Sequence, residues 1–533
     1  MPLKNQISAH PRTTLAKRWV VASVCAALLM PVAPVQSQTT ALRLPNLGDG
    51  AEVPLGVERR LGESIAREIY RDPDYLDDPV LGDYVQSMWQ TLLASARQRG
   101  ELTLELEQQF AWEVALIRDR SINAFALPGG YLGVHLGLIA AVSSPDELAS
   151  VLAHELSHVT QRHIARMISQ QGKQGPLVMG AMILGMLAAS RTPSASGVSA
   201  ANAVMVGGQA AAIQSQLNFS RDMEREADRV GYGVMTEAGF EPQGFVTMFE
   251  KLQQASRLND NGSFPYLRSH PMTTERIADA QARQQLLPAR QALSLTPMHA
   301  MMAARAQVLT SPGVDVLRAL AAQADAASFR ALPLARQAGA LYAGVMADMR
   351  QREFVTARQH LARLQALSGL DVSALRVIRL LAAELALASG DPAQALSMLD
   401  VKAFALAPND RATRMLLAQS RIATQKPAQA KQASDDLALW LSQRPRDASA
   451  WTLLGAAYEQ QGDGLRAIRA QAESRAVELD YGAAVDRFKA AQALAHAMAR
   501  EGKLDRAGHV EASIVDARLR ELERLRREQA LER

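Results

Sequence analysis

Apolar side chains recur at helical spacing from Leu61 to Tyr70 and again from Leu81 to Leu93, and Asp77-Asp78-Pro79 between them is a good helix start. Residues Phe110 to Ile117 then take on a strand-like pattern. Asn123 to Val134, with Pro128-Gly129-Gly130 in its middle, reads as a β-hairpin. A long helix follows, opened by the capping box Ser144-Pro145-Asp146-Glu147 and running to about Ser169. Another begins near Ser220 and stops at Gly239, with Pro242 beyond it. Between these helices lie the Met-, Leu- and Ala-rich run Leu177 to Ala189 and a Ser/Gly/Ala stretch from Ser190 to Gly208. The run is shorter than the roughly 20 residues that span a bilayer. It reads as a buried helix or apolar hairpin, or alternatively as a flap facing a membrane or partner.

After about residue 300 the chain is helical, rich in Ala and Leu, and periodic. Trp451-x-x-Leu454-Gly455-x-x-Tyr458 matches the first helix of a tetratricopeptide unit. Alanines at the corresponding place in the second helix recur as Ala357, Ala395, Ala430, Ala467 and Ala507, at spacings of 38, 35, 37 and 40. Those spacings are near the ~34-residue period of such repeats, which stack into a superhelix with a concave binding face.

The sharpest chemical signal is His154-Glu155-Leu156-Ser157-His158. Residues four apart share a helix face, so both imidazoles can reach one metal ion while Glu155 leans toward the same space as a general base for water. Imidazole and carboxylate ligands suit zinc. No histidine follows at a spacing that completes the set, so the third ligand must come from elsewhere. In Ser220 to Asp228, Glu224 and Asp228 are four apart. Glu224 can bind the metal while Asp228 accepts a hydrogen bond from a ligand histidine, or the segment is an ordinary charged helix face with Arg221, Arg225, Glu226 and Arg229. His270, in Ser269-His270-Pro271, reads by composition as a loop histidine. The hairpin offers an exposed strand edge for an unfolded polypeptide at Gly130, Tyr131 and Leu132, with Asn123 and Ala126 as further contacts, or it is a plain core hairpin.

Together, Leu44-Pro45-Asn46-Leu47-Gly48, Pro128-Gly129-Gly130, the His154 to His158 motif, Glu224-x-x-Ala227-Asp228, Ser269-His270-Pro271 and the repeat tail resemble the BepA-type periplasmic zinc metallopeptidases. These are soluble relatives of the HtpX and CAAX-prenyl proteases. The resemblance implies one zinc ion per subunit, held by His154, His158 and Glu224. It also implies Glu155 as general base, Asp228 supporting a ligand histidine, and His270 as an inhibitory fourth ligand. By the same resemblance the enzyme works near the outer membrane, degrading stalled outer-membrane proteins and helping correct ones assemble. The expected fold is mainly α: a zincin-like metallopeptidase domain with a small β-sheet over residues 38–290, then an α-solenoid of tetratricopeptide repeats over 300–533. Some relatives clamp their repeats with cysteines; this sequence has none beyond Cys25.

Composition narrows the alternatives. With 48% apolar and 21% charged residues the chain is globular rather than disordered. Its single cysteine excludes an intramolecular disulfide and a cysteine-rich zinc site. The net charge of +4 is concentrated at the front, where Lys4, Arg12, Lys17 and Arg18 precede the apolar stretch Trp19 to Val35. Residues 1–37 have the layout of a secretory signal peptide, which predicts export to the periplasm. Removing those four charges leaves a chain of zero net charge, so the basic excess implies no nucleic-acid partner. Peripheral contact with the outer membrane fits the same placement. The expected partners are unfolded outer-membrane proteins as substrates and the assembly machinery at the repeats. Two rival readings are a chaperone-like repeat scaffold with a largely latent peptidase, and an integral membrane protease, which would need further apolar spans.

Overall fold

Helices dominate the computed structural model, which describes residues 53–170, 220–257, 266–285, 295–311, 313–399 and 410–531. The expected signal peptide, the 44–49 motif, the run Leu177 to Ala189 and the stretch after it lie outside the described residues. The described chain begins α1 (Leu55–Arg71), β1 (Tyr75–Leu76), α2 (Pro79–Gln98) and α3 (Leu104–Gln109). It continues β2 (Glu113–Ile117), β3 (Ala124–Leu127), β4 (Tyr131–His135) and α4 (Leu136–Ala141). Then come α5 (Pro145–Thr160), α6 (His163–Gln170), α7 (Arg221–Glu237), α8 (Gln243–Arg257), α9 (Tyr266–Ser269), α10 (Thr274–Gln285) and α11 (Pro297–Leu309).

Local chemistry explains the boundaries. Asp78 Oδ1 accepts the Leu81 amide at 2.8 Å, and Pro79 occupies the first turn of α2, where a missing N–H costs nothing. At the start of α5, Ser144 Oγ accepts the Glu147 amide at 3.2 Å, and the Glu147 carboxylate reaches back to accept the Ser143 amide at 2.6 Å. Ser220 caps α7, and Gly239, at φ +87°, ends it in the left-handed conformation that favours glycine. Two boundaries differ from the pattern-based expectation. The strand β2 starts only at Glu113, because Phe110 closes α3 and Trp112 takes φ +55°. The long helix breaks after Thr160: Arg162 turns left-handed at φ +53°, with its guanidinium on buried Glu58 at 3.2 Å and on the Val53 carbonyl at 2.5 Å.

The sheet has the order β1-β2-β4-β3, with β2 and β4 parallel and the outer pairs antiparallel. Its register pairs Glu113 with Tyr131, Ile117 with His135, and Ala124 with Val134. This corrects the expected substrate edge at Gly130, Tyr131 and Leu132. Strand β4 is hydrogen-bonded on both sides and its Tyr131 and Leu132 side chains are buried, so among the described residues the edge strand on this side is β3. Glycines at 129 and 130, at φ +73° and +83°, make the turn between them.

Beyond α11 and α12 (Val314–Gln323), consecutive helices pair in order: α13 (Leu334–Gln351) with α14 (Phe354–Gln365), and α15 (Val372–Ala388) with α16 (Pro392–Met398). The series continues with α17 (Arg411–Ala423) and α18 (Pro427–Gln443), α19 (Ala448–Gln460) and α20 (Gly464–Val477), α21 (Tyr481–Arg500) and α22 (Arg506–Leu531). Ala357, Ala395, Ala430 and Ala467 each sit in the second helix of a pair and are buried, as small residues at close helix contacts should be. Ala507, on the last described helix, is exposed.

One apolar core runs without a break from Val80 of α2 to Leu416 of α17. At its centre Arg305 of α11 is fully buried between Asp78 (Nη2–Oδ2 2.7 Å), Glu384 (Nη2–Oε1 2.6 Å) and the Tyr342 hydroxyl (3.0 Å). Burial disfavours charge, but both carboxylates outweigh it and hold Arg305 firmly ionised. Removing one member of such a group strands the others. Arg305→Ala should therefore lower unfolding free energy by about 3–5 kcal/mol, read from urea midpoints at unchanged m-value.

Candidate metal centre

Helix α5 is buried along almost its whole length, and it presents His154, Glu155 and His158, all at most 1% exposed. Helix α7 lies against it. The contact is close because residue 231 is glycine: a Cβ there would stand 3.0 Å from the Ala153 carbonyl oxygen and 3.1 Å from the His154 amide. Glu224 and Asp228 are seven and three residues before Gly231, on the same face of α7, so the approach carries both carboxylates to the histidines. His270 enters from the loop after α9, its ring stacked on Tyr266 at 4.6 Å between centroids.

One ligand atom from each of His154, His158, Glu224 and His270 lies within 4.8 Å of all the others. Nε2 of His154 is 3.0 Å from Nε2 of His158, and Glu224 oxygens lie 3.5 Å from each. His270 Nδ1 is 3.3 Å from His154 Nε2 and 3.0 Å from Glu224 Oε1, while its Nε2 is 3.4 Å from Glu155 Oε1. Glu155 Oε2 accepts the Ala126 amide of β3 at 2.9 Å, and its buried Oε1 has no hydrogen-bond partner among the described residues. Converging imidazoles and a carboxylate, with an orphaned carboxylate oxygen beside them, fit a divalent metal ion of the zinc type.

The electrostatics point the same way. Burial opposes charge on His154, but Asp228 and Glu224 outweigh it and push its pKa up to about 9. Burial and the adjacent His154 hold His158 well below its ordinary value. Glu224 stays well below the carboxylate range despite burial, because His270 and His154 lie against it. The carboxylates thus favour positive charge on His154, whereas burial and that neighbour disfavour it on His158.

All the sequence-predicted ligands meet here. Asp228, expected to support a ligand histidine, lies with Oδ1 2.9 Å from His154 Nδ1. Gly130, Tyr131 and Leu132 do not join the cluster; Ala126 is the hairpin residue that touches it. Sequence reasoning missed Arg276, which grips Asp228 through two 2.7 Å hydrogen bonds, reaches Glu224 Oε2 at 2.8 Å and donates to the Pro271 carbonyl at 3.0 Å. It also missed His163, whose Nδ1 is 2.8 Å from His158 Nδ1, and it read Glu226, 3.1 Å from His163 Nε2, as surface charge. Arg276 carries no local signal, because its carboxylate partners are 48 and 52 residues away.

Residues 83–284 match the model of peptidase family M48. Among curated proteins the chain is similar to a Vibrio cholerae protein named as a beta-barrel assembly-enhancing protease, at 34% identity over 56% of this chain and 58% of the relative. The Escherichia coli K12 beta-barrel assembly-enhancing protease is 32% identical over 50% and 52% of the two chains. The mitochondrial metalloendopeptidase OMA1 of Schizosaccharomyces pombe is 29% identical over 42% and 60%. The chain thus spans a little over half the length of the curated relatives it matches.

Because Asp228 orients His154, the isosteric change Asp228→Asn should weaken metal binding roughly 10–100-fold in competition with a chelator.

Proposed function

We propose that the chain is an exported zinc metalloendopeptidase, its M48 domain within residues 38–290 followed by a tetratricopeptide solenoid over 300–533. The observation that supports this best is the convergence of His154, His158 and Glu224 beside Glu155. A zinc ion held by those three residues supplies Lewis-acid activation of water and of a peptide carbonyl. Glu155 takes the proton from water through Oε1, its other oxygen being anchored by the Ala126 amide. Asp228, itself clamped by Arg276, holds His154 in the tautomer that offers Nε2. The open edge of β3, next to Glu155, suits an extended polypeptide bound by backbone pairing.

The names of the relatives support a role in outer-membrane β-barrel assembly, with stalled or misfolded barrel proteins as substrates and the repeat helices recruiting the assembly machinery. Among the described residues no helix is long and apolar enough to cross a membrane, which fits a periplasmic enzyme working at the outer membrane. His270 acts as a fourth ligand that keeps the resting enzyme latent, and opening accompanies turnover. Its place between Glu224 and Glu155 supports that role. The same placement favours the second reading, a chaperone-like scaffold whose peptidase is largely silent.

Glu155→Gln should retain zinc, measured by metal analysis, and lose casein cleavage by at least roughly 100-fold, the range general-base removal costs. Full activity in that variant would exclude the mechanism, and complementation of an envelope defect by it would favour the scaffold reading. His270→Ala should raise casein cleavage; unchanged or lower turnover would count against latency.

A further inference from the structure

The second ligand histidine is backed by an arrangement that the proposed reaction does not use. On an unbroken helix, residues five apart point about 140° away from each other. His163 would then face away from His158. The left-handed turn at Arg162, held by Glu58 and the Val53 carbonyl, restarts the helix so that His163 comes to lie behind His158 instead. Their Nδ1 atoms are 2.8 Å apart, and both side chains are completely buried. On the far side, His163 Nε2 stands 3.1 Å from Glu226 Oε2, which also accepts from Arg166 Nη1 at 2.9 Å.

Proton counting gives this chain a direction. His158 turns Nε2 toward His154 and Glu224, so offering that lone pair to an ion requires its proton on Nδ1. Two Nδ1 atoms at this distance share one proton, so His163 Nδ1 must accept. The His163 proton then sits on Nε2 and is donated to the Glu226 carboxylate, which can only accept. We propose that His163 is a positioning residue that fixes the ring plane and tautomer of His158, with Glu226 and Arg166 locking its own orientation from the surface side. His154 is steadied by an anion, Asp228, whereas His158 is steadied by a neutral imidazole. The second ligand is therefore oriented without adding another negative charge next to the buried site. This inference rests on the reading of the cluster as a zinc site.

The test is equilibrium zinc competition with a fluorescent chelator, together with the absorption spectrum of the cobalt-loaded protein, on the full chain. His163→Ala and Glu226→Ala should each bind zinc roughly 10–100-fold more weakly and shift the cobalt bands. His163→Asn, whose amide oxygen replaces the Nδ1 acceptor, should recover most of the affinity. Should the buried His163→Ala protein fail to fold, Glu226→Ala and His163→Asn carry the test, because Glu226 is partly exposed and asparagine keeps the acceptor. Wild-type affinity and an unshifted cobalt spectrum in Glu226→Ala and His163→Ala would overturn the proposal. So would a loss in His163→Ala that asparagine does not restore while Glu226→Ala binds normally, since that marks His163 as core filling alone. If the unmodified chain takes up no zinc, the peptidase reading itself fails; if it binds tightly and the variants match it, only the positioning role falls.

Discussion

The close packing of α5 on α7 is the contact on which the site depends. A Cβ at Gly231 would stand 3.0 Å from the Ala153 carbonyl oxygen, so a larger residue would push the two backbones apart by a few tenths of an ångström. That approach puts two histidines and a carboxylate, each at most 2% exposed, into one small volume. Isolated buried charges are expensive, and such a cluster persists only when every member is compensated. Here the histidines and carboxylates compensate one another, Arg276 balances the acids, and four candidate ligand atoms converge within 4.8 Å of one another.

Orientation is supplied from outside the cluster on both sides. Asp228 and Arg276 hold His154, while His163, Glu226 and Arg166 stand behind His158. Arg276 also grips the Pro271 carbonyl, directly after His270, so the residue that steadies α7 steadies the loop carrying the third imidazole of the cluster as well. Tyr266, stacked on His270, limits that ring from the other face. The proposed general base is fixed in a comparable way, by a backbone amide of β3 rather than by a side chain. The sheet edge and the catalytic helix are thereby registered to each other.

With no cysteine beyond Cys25, the helices from α11 onward are joined to the preceding elements by packing and ion pairs. Arg305 ties α11 and α15 to Asp78, the residue that also caps α2. Further out, Arg411 bridges Asp77 and Asp447, and Arg446 meets Glu113 at 3.0 Å. The Asp83 carboxylate accepts the Ala412 amide at 2.8 Å, completing the N-terminus of α17 from the other half of the molecule. These exposed and half-buried pairs set the geometry, while the continuous apolar core contributes most of the stability.

Local chemistry was legible in the sequence wherever partners lie within a few residues of each other. The Ser144 cap, the hairpin turn at Gly129-Gly130, the four-residue spacing of His154 and His158, and the buried alanines of successive helix pairs all follow from short-range geometry that the chain carries in its own order of residues. Glu224 and Asp228 were recognisable as a pair that could be ligand and support or a solvated face, because nothing local distinguishes the two. The break at Arg162 was invisible in the hydrophobic pattern, since its cause is a distant carboxylate, Glu58, and a distant carbonyl, Val53. The same holds for the sheet edge: periodicity shows that residues 123–134 form a hairpin, but strand order decides which strand is left open, and β2 occupies the outer side of β4. By itself, then, the sequence determined most of the helices and the four-residue spacing that puts His154 and His158 on one helix face. Only the tertiary structure decided which charges meet in the dark of the core, because pairing there is set by the free energy of removing distant groups from water together.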